Sequence, residues 1–451
     1  MGDKYYGDNA YEAPGNASGL RPTDYDDRDV FGHEENHQIK YKTLSWQLVA
    51  VLMIAEIVSN GMLSLPSSLA VVGMVPGLIL IIFLGIFATY TSWLLVEFKM
   101  RHPQVHTMGD AGMIMFGPIG RDILAFGTVV FAVFATGGQL LAGQIALASL
   151  SDNRLCLMLY TGIFAIPTTL ISFPRTFDAL SWISIPSVIS ITVAGIVGMI
   201  GAGLYPTPER EVRAAVSSDF YTAFFSITNP VFSYAGHFMF FVLVSEMKQP
   251  QKAMRAAYTL QGFATTFYAI FAAVLYGFIG SEVASPAFSS LSPRWQKAAY
   301  GIALPNFLIA GSLYAHTASK LVFVRIFRHS HHLHSHTVKG WATWSILIVL
   351  MNGAAFVLAV GVPVFNYLIG LAASLFAAWF TYGIAGMFFL YDAYKDHGGW
   401  KDWARQPIQS SLAFLTIIVG AFISVAGTYV SIRGIIEAYD TGAVPAAFTC
   451  G

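Results

Sequence analysis

Glu56 is one of the few ionisable residues inside the long apolar runs of this chain, and three positions beyond it begins Ser59-Asn60-Gly61-Met62-Leu63-Ser64-Leu65-Pro66. Two kinds of chemistry are available there. A carboxyl held in an apolar setting is costly and by default functional; it can take up a proton on one side of a barrier and release it on the other. Glycine, small hydroxyls and proline stand where a lipid-facing helix would carry leucine, which predicts a helix broken at mid-membrane. Backbone unwound at that depth has N–H and C=O groups that hydrocarbon cannot satisfy, so it persists only against protein or a water-filled cavity. Broken helices of this kind hold solutes in transporters.

A second interruption lies in the run Ala223 to Glu246, which reads Ser226-Ile227-Thr228-Asn229-Pro230-Val231-Phe232-Ser233-Tyr234-Ala235-Gly236-His237. Either interruption alone is equally well read as a small-residue packing face. Together they lie five apolar spans apart, an odd number, so the two helices run in opposite directions. Paired interruptions in corresponding halves point to a transporter site, here built from Ser59, Asn60, Gly61 and Met62 with Ser233, Tyr234 and Gly236. Tyr234 is expected to close over the solute or line its side-chain pocket. Gln139, in Thr136-Gly137-Gly138-Gln139 of the third span, either lines the same cavity or hydrogen-bonds between helices.

These residues need elements to position them, and composition supplies the class. Of 451 residues, 55% are hydrophobic and only 11% charged, against roughly a quarter charged in a soluble domain, so the chain is a polytopic membrane protein in contact with the lipid bilayer. Its zero formal net charge leaves no basic patch for nucleic acid. Apolar segments able to cross about 30 Å of hydrocarbon are read at 46–72, 75–98, 122–150, 155–173, 181–204, 223–246, 257–280, 298–327, 341–361, 363–391 and 409–433, eleven in all. The predicted organisation is a disordered cytoplasmic tail (1–44), a five-helix repeat (45–204), a second, inverted five-helix repeat (223–391) and an eleventh helix (408–434).

With the amino terminus inside, inner loops hold fifteen Lys and Arg and outer loops six, and the positive-inside rule therefore puts the amino terminus in the cytoplasm and the carboxyl terminus outside. The sequon at Asn16 would then stay bare. Cys156 and Cys450 are expected as free thiols, too few for a disulfide framework.

Two readings of Glu56 stand: a proton relay, and a permanent ion pair with Lys320 of span eight, which would bridge spans one and eight as a tethered cation. His237 and His316 are each read either as titrating groups or as histidines hydrogen-bonded for structure. The run His329-Ser330-His331-His332-Leu333-His334-Ser335-His336 invites comparison with membrane di-iron enzymes, which need several histidine boxes. The other histidines form no second box, so a solvated loop with adventitious metal binding is preferred.

Three stretches carry a resemblance. Gly61-Met62-Leu63-Ser64-Leu65-Pro66 resembles the glycine-rich first-helix signature of the amino acid/auxin permease family. Thr107-Met108-Gly109-Asp110-Ala111-Gly112 with Phe116-Gly117-Pro118-Ile119-Gly120-Arg121 resembles its loop before the third span, and Glu246-Met247-Lys248-Gln249-Pro250-Gln251-Lys252-Ala253 its element inside the sixth. The likeness covers roughly 43–433 and is closest to fungal neutral and aromatic amino-acid permeases. It implies an all-α, eleven-helix, inverted-repeat transporter of the LeuT-like, APC type, moving amino acids into the cytosol with a cation. Exposed N–H groups after Asn60-Gly61 would then receive the substrate carboxylate, and carbonyls near Phe232 to Ala235 its ammonium. Sodium-coupled relatives carry an asparagine in the first helix and a threonine or serine in the eighth; Thr317 matches the second, but Ala55 and Glu56 occupy the first position.

The expectation is therefore a proton-coupled symporter of neutral, bulky or aromatic amino acids in the plasma membrane, neither an enzyme nor a user of any cofactor or metal beyond the coupling ion. Sodium coupling, an amino-acid sensor that does not transport, and a vacuolar membrane are the alternatives. Oligomeric state is not legible.

Overall fold

The computed structural model describes residues 29–31, 34, 37–328, 330–362, 364–397 and 406–441. Among the described residues eleven helical segments follow in order. The first is broken into α1a (Trp46–Ile57), a 3-10 turn (Asn60–Ser64) and α1b (Leu65–Val72). Then come α2 (Met74–Arg101), α3 (Met108–Leu150), α4 (Leu157–Ile171) and α5 (Phe177–Leu204). The sixth is broken like the first, into α6a (Phe220–Ser233), a 3-10 turn (His237–Met239) and α6b (Phe240–Ser245). After α7 (Ala253–Ile279), α8 (Pro293–Phe327) and α9 (Val338–Gly361), the tenth runs Phe365–Ala372, Ala373–Gly383 and Ile384–His397, wide π-turns filling its middle. The last, α11, is Pro407–Asp440. Ten of these are long and apolar enough to span; α4, with 15 residues, is shorter.

Burial sorts the helices by role. Within their most apolar windows, α6 is 94% and α1 and α8 89% buried, but α11 only 28%. A helix apolar all round must be enclosed or lipid-facing; the broken helices are enclosed, and Ile79, Phe83, Ile86, Phe126 and Val425 are presented outward. The central α8 packs most extensively on α3 and α5, and the tenth helix, Phe365–His397, on α11.

Local chemistry sets the ends. Thr107 and Asp110 cap α3 reciprocally, the Thr107 hydroxyl accepting from Asp110 N–H and the Asp110 carboxylate from Thr107 N–H, which satisfies two otherwise orphaned donors. Gly117, with φ +69°, then bends α3 ahead of Pro118, so the span proper begins close to the 122 read from sequence.

Two expectations are corrected. Part of the segment read as a disordered tail is packed: Phe31, Ile39, Tyr41 and Leu44 are buried, and residues 37–44, hereafter the strap, cross one face of the bundle. Leu44 N–H donates to Glu246 C=O and Lys248 N–H to Leu44 C=O, a short parallel bridge. Residues 1–28, with the Asn16 sequon, lie outside the described residues. Cys156 is disulfide-bonded, not free; Cys450 lies outside the described residues.

Candidate functional site

The two breaks meet. Ser233 Oγ donates to Gly61 C=O at 2.9 Å, and Ser64 Oγ donates to the same carbonyl at 2.7 Å. A Cβ at Gly61 would lie 3.1 Å from Ser233 Cα and Oγ, and one at Gly236 would lie 2.0 Å from Ile57 Cδ1. The missing side chains therefore let the breaks approach each other, not only a solute.

A helix that stops at mid-membrane leaves its last carbonyls without intrahelical donors. Three side chains from the second half supply them. Asn306 Nδ2 donates to Ala55 C=O (3.1 Å), Tyr314 OH to Glu56 C=O (3.2 Å) and Tyr268 OH to Ile57 C=O (2.9 Å). Tyr268 OH also stands 2.8 Å from Ser233 C=O, so one hydroxyl proton serves the ends of both broken helices. The α7 and α8 donors thus replace the helical bonds that the break forfeits.

Around the break of α1 the amides interlock, with Asn60 Nδ2 buried and left without a partner. Gln139 Nε2 donates to Asn60 Oδ1 (3.0 Å), Ser59 Oγ lies 3.0 Å from Gln139 Oε1 and 2.6 Å from Asn306 Oδ1, and Asn306 Nδ2 reaches Ser187 Oγ (3.0 Å). All are buried. Gln139 therefore both lines the break and bonds between helices. Met62 is buried, its Cε 3.5 Å from where a Cβ at Gly195 of α5 would be.

Other predicted residues lie elsewhere. Tyr234 is buried with its hydroxyl donating to Ile81 C=O (3.0 Å) and Thr265 Oγ1 (3.2 Å), so its ring is held between α2 and α7 instead of closing over the breaks. His237 is packed on α2, its Nε2 2.9 Å from Ser92 Oγ and from Ala88 C=O. Thr317 Oγ1 donates to Leu313 C=O within its own helix (2.8 Å). His316 is buried between Phe177 and Trp344.

The Glu56–Lys320 pair, one of the two readings of Glu56, does not form. Lys320 Nζ pairs with Glu246 at the end of α6b, both side chains buried, with the ammonium over the rings of Phe177 (4.4 Å) and Tyr41 (4.9 Å). Lys320 lies six residues past Tyr314, whose hydroxyl meets Glu56 C=O, roughly 9 Å along α8, too far toward the strap to reach Glu56. Both carboxyl oxygens of Glu56 are buried without a hydrogen-bond partner.

The profile of the family described as "Transmembrane amino acid transporter protein" matches residues 42–433. The chain belongs to that family. Among curated relatives of this transporter, a "Transmembrane transporter" of Gibberella moniliformis is 31% identical over 97% of this chain and 93% of its own. The "N amino acid transport system protein" of Neurospora crassa is 29% identical over 92% and 90%. A solved Na+-coupled sialic acid symporter, in a substrate-bound outward-open state, superposes with TM-score 0.57 at 10% identity, covering 89% of this chain and 93% of that one. The fold is thus the LeuT-like one anticipated, and a family of transporters removes the di-iron enzyme reading.

Sequence reasoning missed Asn306, Tyr314, Tyr268 and Ser187. A signal existed for Asn306, an amide beside Pro305 inside an apolar run; nothing in the sequence distinguishes Tyr268 from the chain's other tyrosines.

Proposed function

We propose that this transporter imports neutral, bulky or aromatic amino acids by proton symport, with the two breaks as the substrate site and Glu56 as the proton carrier. The observation that carries the coupling is the isolation of Glu56: a buried carboxyl beside the break, with no partner on either oxygen. An unpaired carboxylate charge at that depth is costly, and a proton taken from one side relieves the cost until it is released to the other. For the zwitterion, the N–H groups of Asn60 and Gly61 open a helical turn and have no acceptor within it. They suit a carboxylate, while the hydroxyls and carbonyls around Ser233 suit an ammonium.

In the described arrangement the residues at both breaks are buried. Asn306, Tyr268 and Tyr314 hold the end of α1a against α7 and α8, and the strap, Glu246 and Lys320 close one face. Alternating access then requires the tyrosine and asparagine bonds at the breaks to be exchanged for bonds to substrate.

We place the strap face in the cytosol and the protein in the plasma membrane. The distribution of Lys and Arg supports that orientation. It also puts the disulfide-bonded Cys156 on the opposite, oxidising side. One similar protein is named "Vacuolar amino acid transporter 4" in Saccharomyces cerevisiae, so the membrane is a point to test by localising a tagged chain.

Uptake of labelled phenylalanine into proteoliposomes under separate gradients tests the reading. Accumulation is expected with an inward proton gradient and not with a sodium gradient alone. Accumulation that follows sodium and ignores protons overturns the coupling, and binding without accumulation under any gradient makes the protein a sensor.

A further inference from the structure

The histidine run between α8 and α9 has no part in the breaks, yet one of its members is turned toward the strap. His334 and His37 have ring centroids 4.0 Å apart, and Glu34 Oε1 lies 3.7 Å from His334 Nδ1. We propose that Glu34, His37 and His334 bind a divalent ion of the zinc class, fastening the amino-terminal segment to the α8–α9 connection.

One ligand atom from each residue lies within 4.8 Å of the others. Zinc bound to imidazole nitrogen and carboxylate oxygen at about 2.0–2.2 Å draws its ligands closer than that, so side chains must close by roughly an ångström. Two imidazoles and one carboxylate suit zinc, cobalt or nickel better than calcium or magnesium, with water completing the shell.

The donors are prepared for it. His37 Nδ1 is buried without a hydrogen-bond partner. The Glu34 carboxylate is oriented by the N–H groups of Tyr41 (2.9 and 3.0 Å) and Lys42 (2.9 Å), the kind of outer support that fixes metal ligands.

Two other members of the run are engaged otherwise. His332 Nδ1 bonds Thr337 Oγ1 (2.8 Å), and His336 Nδ1 accepts from Trp341 Nε1 (3.1 Å). The strap already touches the connection through Tyr41 OH to Leu333 C=O (3.0 Å), Ile39 N–H to His334 C=O (3.1 Å) and His336 N–H to Gln38 Oε1 (3.0 Å). Metal bonds add to a contact that exists, across some three hundred residues of chain.

Titration of the purified full-length protein in detergent with Zn2+ tests the site. One ion per chain is expected, with affinity reduced at least about tenfold, or ~1.4 kcal/mol, in each of Glu34→Gln, His37→Gln and His334→Gln, and unchanged in His331→Gln. Equal affinity in all variants, or loss only in His331→Gln, overturns the site and assigns binding to the exposed run. Hydrogen exchange on the unmodified chain decides independently of variant folding: Zn2+ should slow amide exchange over Ile39–Leu44, and no slowing there overturns the clamp.

Discussion

Lys320 pairs with Glu246, joining α8 to the end of α6b on the strap face. Neither charge is accessible, so removing one strands the other, at a cost on the order of 3–5 kcal/mol. Lys320→Met and Glu246→Gln should each lower thermal stability in detergent strongly, whereas the double variant should recover much of the loss. A double-mutant cycle with no coupling between the two positions would show that the pair contributes nothing specific.

Glu56→Gln keeps the shape of the site and removes the titratable group. The variant should still exchange labelled substrate across a proteoliposome membrane without a gradient, but should lose accumulation driven by inward protons. Concentrative uptake by the variant on a pH gradient would falsify the role given to Glu56.

The architecture was more legible than the site, for a physical reason. Helix breaks are written in local composition: Ser59-Asn60-Gly61 and Ser233 to Gly236 depart from their apolar surroundings whatever packs on them. Pairings are not local. Glu56 and Lys320 were the conspicuous opposite charges within spans, but Glu246, at a helix end, takes the lysine because the rise of α8 carries Lys320 away from Glu56. Tyr234 adjoins the break in sequence, yet the turn rotates its ring toward α2 and α7, and Tyr268, far off in sequence, reaches the broken ends instead. The packed part of the amino-terminal segment is not legible because its few apolar anchors, Phe31 and, in the strap, Ile39 and Tyr41, are scattered among polar residues and acquire their cluster only beside Phe323, Phe327 and Trp344.

Gly236 and Gly61 are predicted to respond differently to alanine. The methyl at Gly236 meets Ile57 Cδ1 at 2.0 Å, the movable end of a side chain, while that at Gly61 meets Ser233 Cα at 3.1 Å, which is backbone. Overpacking of this kind costs about 1–3 kcal/mol. Adding Ile57→Ala should restore stability and uptake to Gly236→Ala, whereas Ser233→Ala should leave Gly61→Ala impaired. Equal rescue of both would mean that the breaks do not rely on backbone approach.

His106, in the connection between α2 and α3, gives the closed face a pH dependence. Its ring is fully buried, edge-on to Phe31 at 5.1 Å, and both ring nitrogens lack hydrogen-bond partners. Burial first, and then the charges of Lys99, Lys320 and Arg328, hold it well below its ordinary 6.5. Because the folded value is the lower one, the unfolded chain binds this proton first as pH falls. The contribution of His106 to stability is therefore complete above about pH 6.5 and declines below it. Glu34 acts in the opposite sense, since burial raises its carboxyl and its contribution fades as pH rises, so the effect of His106 is read as a difference between proteins. The stability of His106→Leu relative to the unmodified chain should rise as pH drops from 6.5 toward 5, with a slope approaching ~1.4 kcal/mol per unit. Thermal melts of the two in detergent across that range measure it, and parallel curves would mean that His106 is protonated, or exposed to water, in the folded protein.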